Sequence, residues 1–85
     1  MDAYVLVQTQ IGRTRDVTYE IGRLEGVVYA EPITGPYDVV ARISGRDLFA
    51  LNSTVLARIQ EIDGVTRTVT CPIVAAVELA ATSTA

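Results

Sequence analysis

The chain has 85 residues, of which 49% are hydrophobic, the composition of one small globular domain rather than of a disordered segment. Seven arginines, no lysines and ten acidic residues give a net charge of −3, and the arginines are scattered through the chain, so no basic stripe exists to hold a nucleic acid. The single cysteine, Cys71, excludes an intramolecular disulfide, the lack of histidine argues against a zinc centre of the usual type, and no cofactor is expected. Without disulfide staples, a basic leader or an apolar run long enough to span a bilayer, the chain reads as cytoplasmic and independent of membranes.

Residues 3–10 are apolar and β-branched, and read as a first strand that Gly12 ends. Thr14 is placed to cap a helix, with Asp16 favouring its positive end, and Val17, Ile21 and Leu24 form its apolar stripe. Gly26 is expected to stop that helix as a C′ glycine. A second strand follows over 27–33, then Thr34-Gly35-Pro36, then a third strand over 37–43. Two strand patterns joined through Gly-Pro form a β-hairpin. Tyr37 and Asp38 stand at the start of its returning strand, and this is where the chain gathers most polar equipment. The plain reading of the pair is local: Asp38 hydrogen-bonds amides of the turn and Tyr37 packs at a strand end.

Ser44 and Asp47 are spaced as a capping box before the second helix. There Leu48, Leu51, Val55, Ile59 and Ile62 recur in steps of three and four, which no strand satisfies. Gly64 ends it. Val65–Val74 reads as a fourth strand, with Thr66, Thr68 and Thr70 on one face and Val65, Val69 and Ile73 on the other. Pro72 near its far end suits an edge. The domain is expected to span 1–79, with Val77–Leu79 extending the last strand or pairing with a neighbour and 80–85 fraying as a tail.

An internal repeat supports the order of these elements. Ile21-Gly-Arg-Leu24-Glu25-Gly26-Val27 aligns with Ile59-Gln-Glu-Ile62-Asp63-Gly64-Val65 at an offset of 38 residues. Two strand–helix–strand units give an α+β chain of βαββαβ order, ferredoxin-like, with both helices on one face of a four-stranded antiparallel sheet. Those helices cover one face only. The strands are nevertheless apolar on both parities, with Leu6 beside Val5 and Val7, Val27 and Tyr29 beside Val28 and Ala30, and Val40 beside Val39 and Ala41. A homodimer with its sheets face to face, a dimeric α+β barrel, resolves this by burying the second face.

Three segments in this frame, Gly26-Val27-Val28, Thr34-Gly35-Pro36-Tyr37-Asp38-Val39 and Ile62-Asp63-Gly64-Val65-Thr66-Arg67-Thr68-Val69-Thr70, resemble the effector-binding (RAM) domain of the Lrp/AsnC transcriptional regulators, over about Tyr4 to Val74. The resemblance implies a ferredoxin-like domain that pairs through its sheet, assembles dimers into octamer-like rings, and binds amino-acid effectors in clefts between dimers. It implies that Gly35, Pro36, Tyr37 and Asp38 line that cleft, with Asp38 toward an α-ammonium and turn amides toward an α-carboxylate. Thr68 and Thr70 would face the ligand from the last strand, where β-propensity alone also explains threonine. The family's helix-turn-helix has no counterpart before Tyr4. The chain thus resembles a stand-alone member, a natural short protein beginning at Met1, that binds an amino acid itself or co-assembles with full-length regulators.

Two other readings stay open. Small dimeric α+β barrels include monooxygenases and isomerases, but only Asp38 or Tyr37 could serve as acid or base here, and neither has an evident activating partner. A purely structural oligomerisation module is the other, in which Asp38 and the threonines would tolerate substitution. Cys71 reads as a small buried hydrophobe in a strand, with no redox role.

Overall fold

The computed structural model describes residues 1–74. The expected domain end at 79, the extension at Val77–Leu79 and the tail 80–85 lie outside the described residues. Strands β1 (Asp2–Thr9), β2 (Val27–Pro32), β3 (Val39–Ser44) and β4 (Val65–Pro72) form one sheet in the order β2-β3-β1-β4, with every neighbour antiparallel. Helix α1 is Thr14–Gly22. Helix α2 covers residues 48–60, α-helical at Leu48–Ala50 and Ala57–Gln60 and π-wound at Leu51–Leu56. The architecture is the ferredoxin-like βαββαβ arrangement, and both helices lie on one side of the sheet.

The core sits between them. Ala3, Val5 and Val7 of β1 and Val39, Ala41 and Ile43 of β3 are buried with Val17 and Ile21 of α1 and Leu51, Val55 and Ile59 of α2. Strand alternation selects the odd-numbered residues of β1 and β3 for this side. In α2 the buried residues fall four apart. α Winding carries such residues about 40° past a full turn at each step, and the wider π winding of 51–56 takes that drift back. Leu51, Val55 and Ile59 therefore all face the sheet, and the half-buried Ile62 follows them.

The helix ends differ from the sequence expectation. Thr14 is the first residue of α1 and not its cap; Arg13 holds the cap position without a side-chain bond, and the Thr14 hydroxyl pairs with Thr9 at 2.9 Å. Asp47, not Ser44, caps α2: its carboxylate accepts the Ala50 N–H at 2.8 Å, while Ser44 closes β3. Nor do the two glycines stop the helices. α1 ends at Gly22 and α2 at Gln60, and Gly26 and Gly64, at φ +92° and +102°, instead turn the chain into β2 and β4. The 38-residue repeat survives in the hydrogen bonds of these two turns. Leu24 N–H donates to Ile21 O at 3.1 Å and Val27 N–H to Leu24 O at 3.2 Å; Ile62 to Ile59 and Val65 to Ile62 repeat them at 3.2 and 3.1 Å.

Register shifts correct the expected faces at both edges. Between Val27 and Tyr29 the pairing slips against β3, so Val27 and Ala30 turn to the helices and Val28 is the extra, exposed residue. Between Gln8 and Thr9 the β1–β4 pairing slips likewise. Val65 therefore packs on the core side, the side of Thr68 and Thr70, while Val69 lies opposite and Thr66 is out of step. Pro72 stands on an edge strand, as expected, whereas Cys71 beside it is exposed and not buried, because β4 has a neighbour on one side only.

Candidate functional site

The loop 33–38 joins β2 to β3, and its closure is over-determined. Ile33 N–H donates to Asp38 O at 2.8 Å, and Asp38 N–H donates to Val7 O of β1 at 2.9 Å. Asp38 Oδ2 then accepts the Thr9 N–H at 2.8 Å and faces the Thr9 hydroxyl at 3.2 Å, which in turn meets the Thr14 hydroxyl. The carboxylate thus stands in for a main-chain acceptor where β1 runs past the start of β3, and it couples the hairpin to the start of α1. Among the described residues Oδ1 accepts no hydrogen bond. Gly35, at φ +131°, needs the freedom of glycine. Gly35 and Pro36 are exposed at the tip, and Tyr37 is half-buried before β3 starts at Val39, two residues later than the sequence suggests.

Thr68 lies in the same row of the sheet: Val7 pairs with Val39 on one side and with Thr68 on the other. Two strand spacings place it about 10 Å from Val39. It is half-buried on the helix side, and its Oγ1 accepts the Gln60 amide at 3.0 Å. Thr70 pairs with Val5, one repeat of the pleat farther from the hairpin. The six residues therefore form two groups. Gly35 to Asp38 cluster at one end of the sheet beside Thr9, Thr68 is the nearer threonine, and Thr70 is set back along β4.

Two further groupings were not singled out from the sequence. On the open face, Arg42 Nε and Nη2 donate to Asp2 Oδ2 at 3.1 and 2.8 Å, and its guanidinium lies 5.7 Å from the Tyr4 ring centroid. Hydrogen bonds from Arg42 and then Ser44 hold the Asp2 carboxyl below its ordinary value, and the bond to Asp2 raises Arg42 in turn. A hydrogen bond with Tyr4, and then burial, push the Tyr29 phenol up. Only the register brings these residues together from three strands, so no local spacing announces them.

The second grouping is a groove of about 680 Å³ between α1 and β2, lined by Arg15, Thr18, Tyr19 and Arg23 over Ala30 and Pro32, with Thr14 and Gly22 at its helix wall. Here a signal existed: Arg15, Tyr19 and Arg23 recur every four residues on the flank of α1 away from Val17 and Ile21. Among the described residues no cluster of metal-binding side chains occurs, and no helix is long and apolar enough to cross a membrane.

Residues 2–79 match the family profile of the Lrp/AsnC ligand binding domain. No curated protein matches the chain. The solved structure of TTHA0845 from Thermus thermophilus is similar at 32% identity, covering 88% of this chain and 94% of that one, with a TM-score of 0.81. Escherichia coli AsnC aligns at 20% identity and a TM-score of 0.79 over 87% of this chain, which spans 50% of AsnC. The transcriptional regulator NMB0573 of Neisseria meningitidis, solved as a complex with L-Met, aligns at 17% identity and a TM-score of 0.76, over 89% of this chain and 51% of that one. Those last two likenesses concern the fold. With the profile covering nearly all of the sequence, the chain belongs to the Lrp/AsnC ligand-binding domain family.

Proposed function

We propose that the protein is an amino-acid sensor: face-to-face homodimers, assembled into an octamer-like ring, bind a free amino acid where the β2–β3 hairpin of one dimer meets its neighbour. Its output is a change in assembly, with itself or with full-length regulators of its family, in the cytoplasm. The observation that carries this reading is Asp38. Its Oδ2 is fixed by Thr9, leaving Oδ1 to receive an α-ammonium at the rim of the sheet. Loop N–H groups around Gly35 and Tyr37 would take the α-carboxylate, Pro36 would shape the tip, and the Thr68 and Thr70 hydroxyls would donate or accept from β4. The L-Met bound by the Neisseria relative supports an amino acid as ligand. One carboxylate already held by a threonine, without histidine, suits binding better than turnover.

Thermal denaturation across the common amino acids tests the reading. At about a hundred times its dissociation constant a ligand stabilises the folded assembly by about 2.7 kcal/mol, a clear rise in Tm. Asp38→Asn keeps an oxygen for the Thr9 N–H and removes the charge, so it should fold and lose the rise. A rise unchanged in Asp38→Asn would place the ligand elsewhere, and no rise with any amino acid would refute the sensor.

A further inference from the structure

We infer that the groove between α1 and β2 is a second ligand site, for a small organic anion that carries an apolar or aromatic body and no ammonium group. Its wall is built from two parallel rows of α1, Thr14–Thr18–Gly22 and Arg15–Tyr19–Arg23, and its floor from Ala30 and Pro32 on the helix side of β2. Its volume, about 680 Å³, is that of a small-molecule site. The lining holds two guanidinium groups and no carboxylate, in a chain whose net charge is −3. Two arginines are spent on ion pairs, Arg13 with Asp16 and Asp63 and Arg42 with Asp2; among the described residues Arg15 and Arg23, like Arg46, Arg58 and Arg67, pair with no acid, but only Arg15 and Arg23 share this groove. Arg23 instead lies 5.6 Å from the Tyr19 ring centroid, so the phenol and the guanidinium present one stacked, cationic surface.

This chemistry selects. A carboxylate can pair with Arg15 or with Arg23 while a flat or branched body rests on Tyr19, Ala30 and Pro32. An amino acid would bring its ammonium beside the guanidiniums with no acid in the lining to receive it. The site therefore prefers a 2-oxo acid to the amino acid of the same side chain, the opposite of the preference that Asp38 would impose at the hairpin. Gly22 offers a clean probe: it is helical, and a Cβ built there meets nothing within 4 Å. A larger residue enters the groove without disturbing the core.

Backbone amide shifts in a ¹⁵N-labelled sample of the full chain, titrated with phenylpyruvate and with phenylalanine, test this. Phenylpyruvate should shift the amides of Arg15, Tyr19, Gly22 and Ala30 with at least about tenfold higher affinity than phenylalanine. Gly22→Leu should abolish those shifts, Arg15→Gln with Arg23→Gln should weaken them about tenfold, and Asp38→Asn should leave them unchanged. Silent groove amides up to about 10 mM phenylpyruvate, equal response to phenylalanine, or persistence in a folded Gly22→Leu protein would overturn the assignment. Dissociation of the assembly by Gly22→Leu would also overturn it, by making the groove a contact between subunits. Because the hairpin is probed separately by Asp38→Asn, the sensor and the groove can fail independently.

Discussion

At the scale of single residues, Asp38 does two things that its neighbours in sequence do not disclose. Its Oδ2 satisfies the Thr9 N–H, and its position presents the remaining oxygen at the sheet end. Asp38→Ala should therefore destabilise the fold by about 1–3 kcal/mol, because it leaves a part-buried donor unpaired, whereas Asp38→Asn should cost much less. Chemical denaturation of both variants checks the order. Two glycines make a second contrast. At Gly26, φ is +92° and an added Cβ would stand 2.5 Å from Val55 Cγ2, so Gly26→Ala combines backbone strain with overpacking, about 2–4 kcal/mol. At Gly22 neither penalty applies, and Gly22→Ala should stabilise α1 by up to about 1 kcal/mol. Asp2 supplies the pH dependence. Its folded value lies below 3.8, so its ion pair with Arg42 contributes above that pH and is lost as pH falls through the lower folded value. Asp2→Asn should flatten the acid limb of a stability–pH profile and leave its alkaline limb alone.

At the scale of elements, the sequence was most legible where periodicity and burial coincide. Of the helical stripes, Val17, Ile21, Leu51, Val55 and Ile59 are buried and Leu24 and Ile62 half-buried, while Leu48, in the first turn of α2, is exposed. The 38-residue repeat reappears in two matching hydrogen bonds at each of the helix–strand turns. What the pattern could not carry was phase. A one-residue slip between Val27 and Tyr29, and another between Gln8 and Thr9, exchange the faces of Val28 and Val65. A slip costs so little locally that only pairing with the neighbouring strand decides it. The caps diverge for a related reason. Ser44 and Asp47 both suit an N-terminus, and the choice fell to Asp47 because Ser44 still pairs with Asp2 in the sheet. Replacing Asp47 by alanine should cost about 1 kcal/mol, and Ser44→Ala should leave the helix end intact. At the hairpin, the local reading of Asp38 as an acceptor for amides of the turn is corrected: its carboxylate accepts the Thr9 N–H, 29 residues away on β1, and no amide of the turn.

At the scale of the whole molecule, the helices bury one face of the sheet and leave the other to Tyr4, Leu6, Val40 and Val69, none of them fully buried in the single chain. In so small a domain a second layer on that face adds needed burial. An effector site at the hairpin, as proposed, would depend on such an assembly, with the hairpin of one chain as one wall and a second chain as the other. Sedimentation velocity of the wild type and of Val40→Asp, each with and without the amino acid that raises Tm most, tests it directly. The wild type should sediment as a dimer or a larger ring whose distribution shifts with ligand. Val40→Asp should remain folded by circular dichroism, sediment as a smaller species and no longer respond. A monomeric wild type that binds the amino acid, or a Val40→Asp monomer that binds it equally well, would contradict the account.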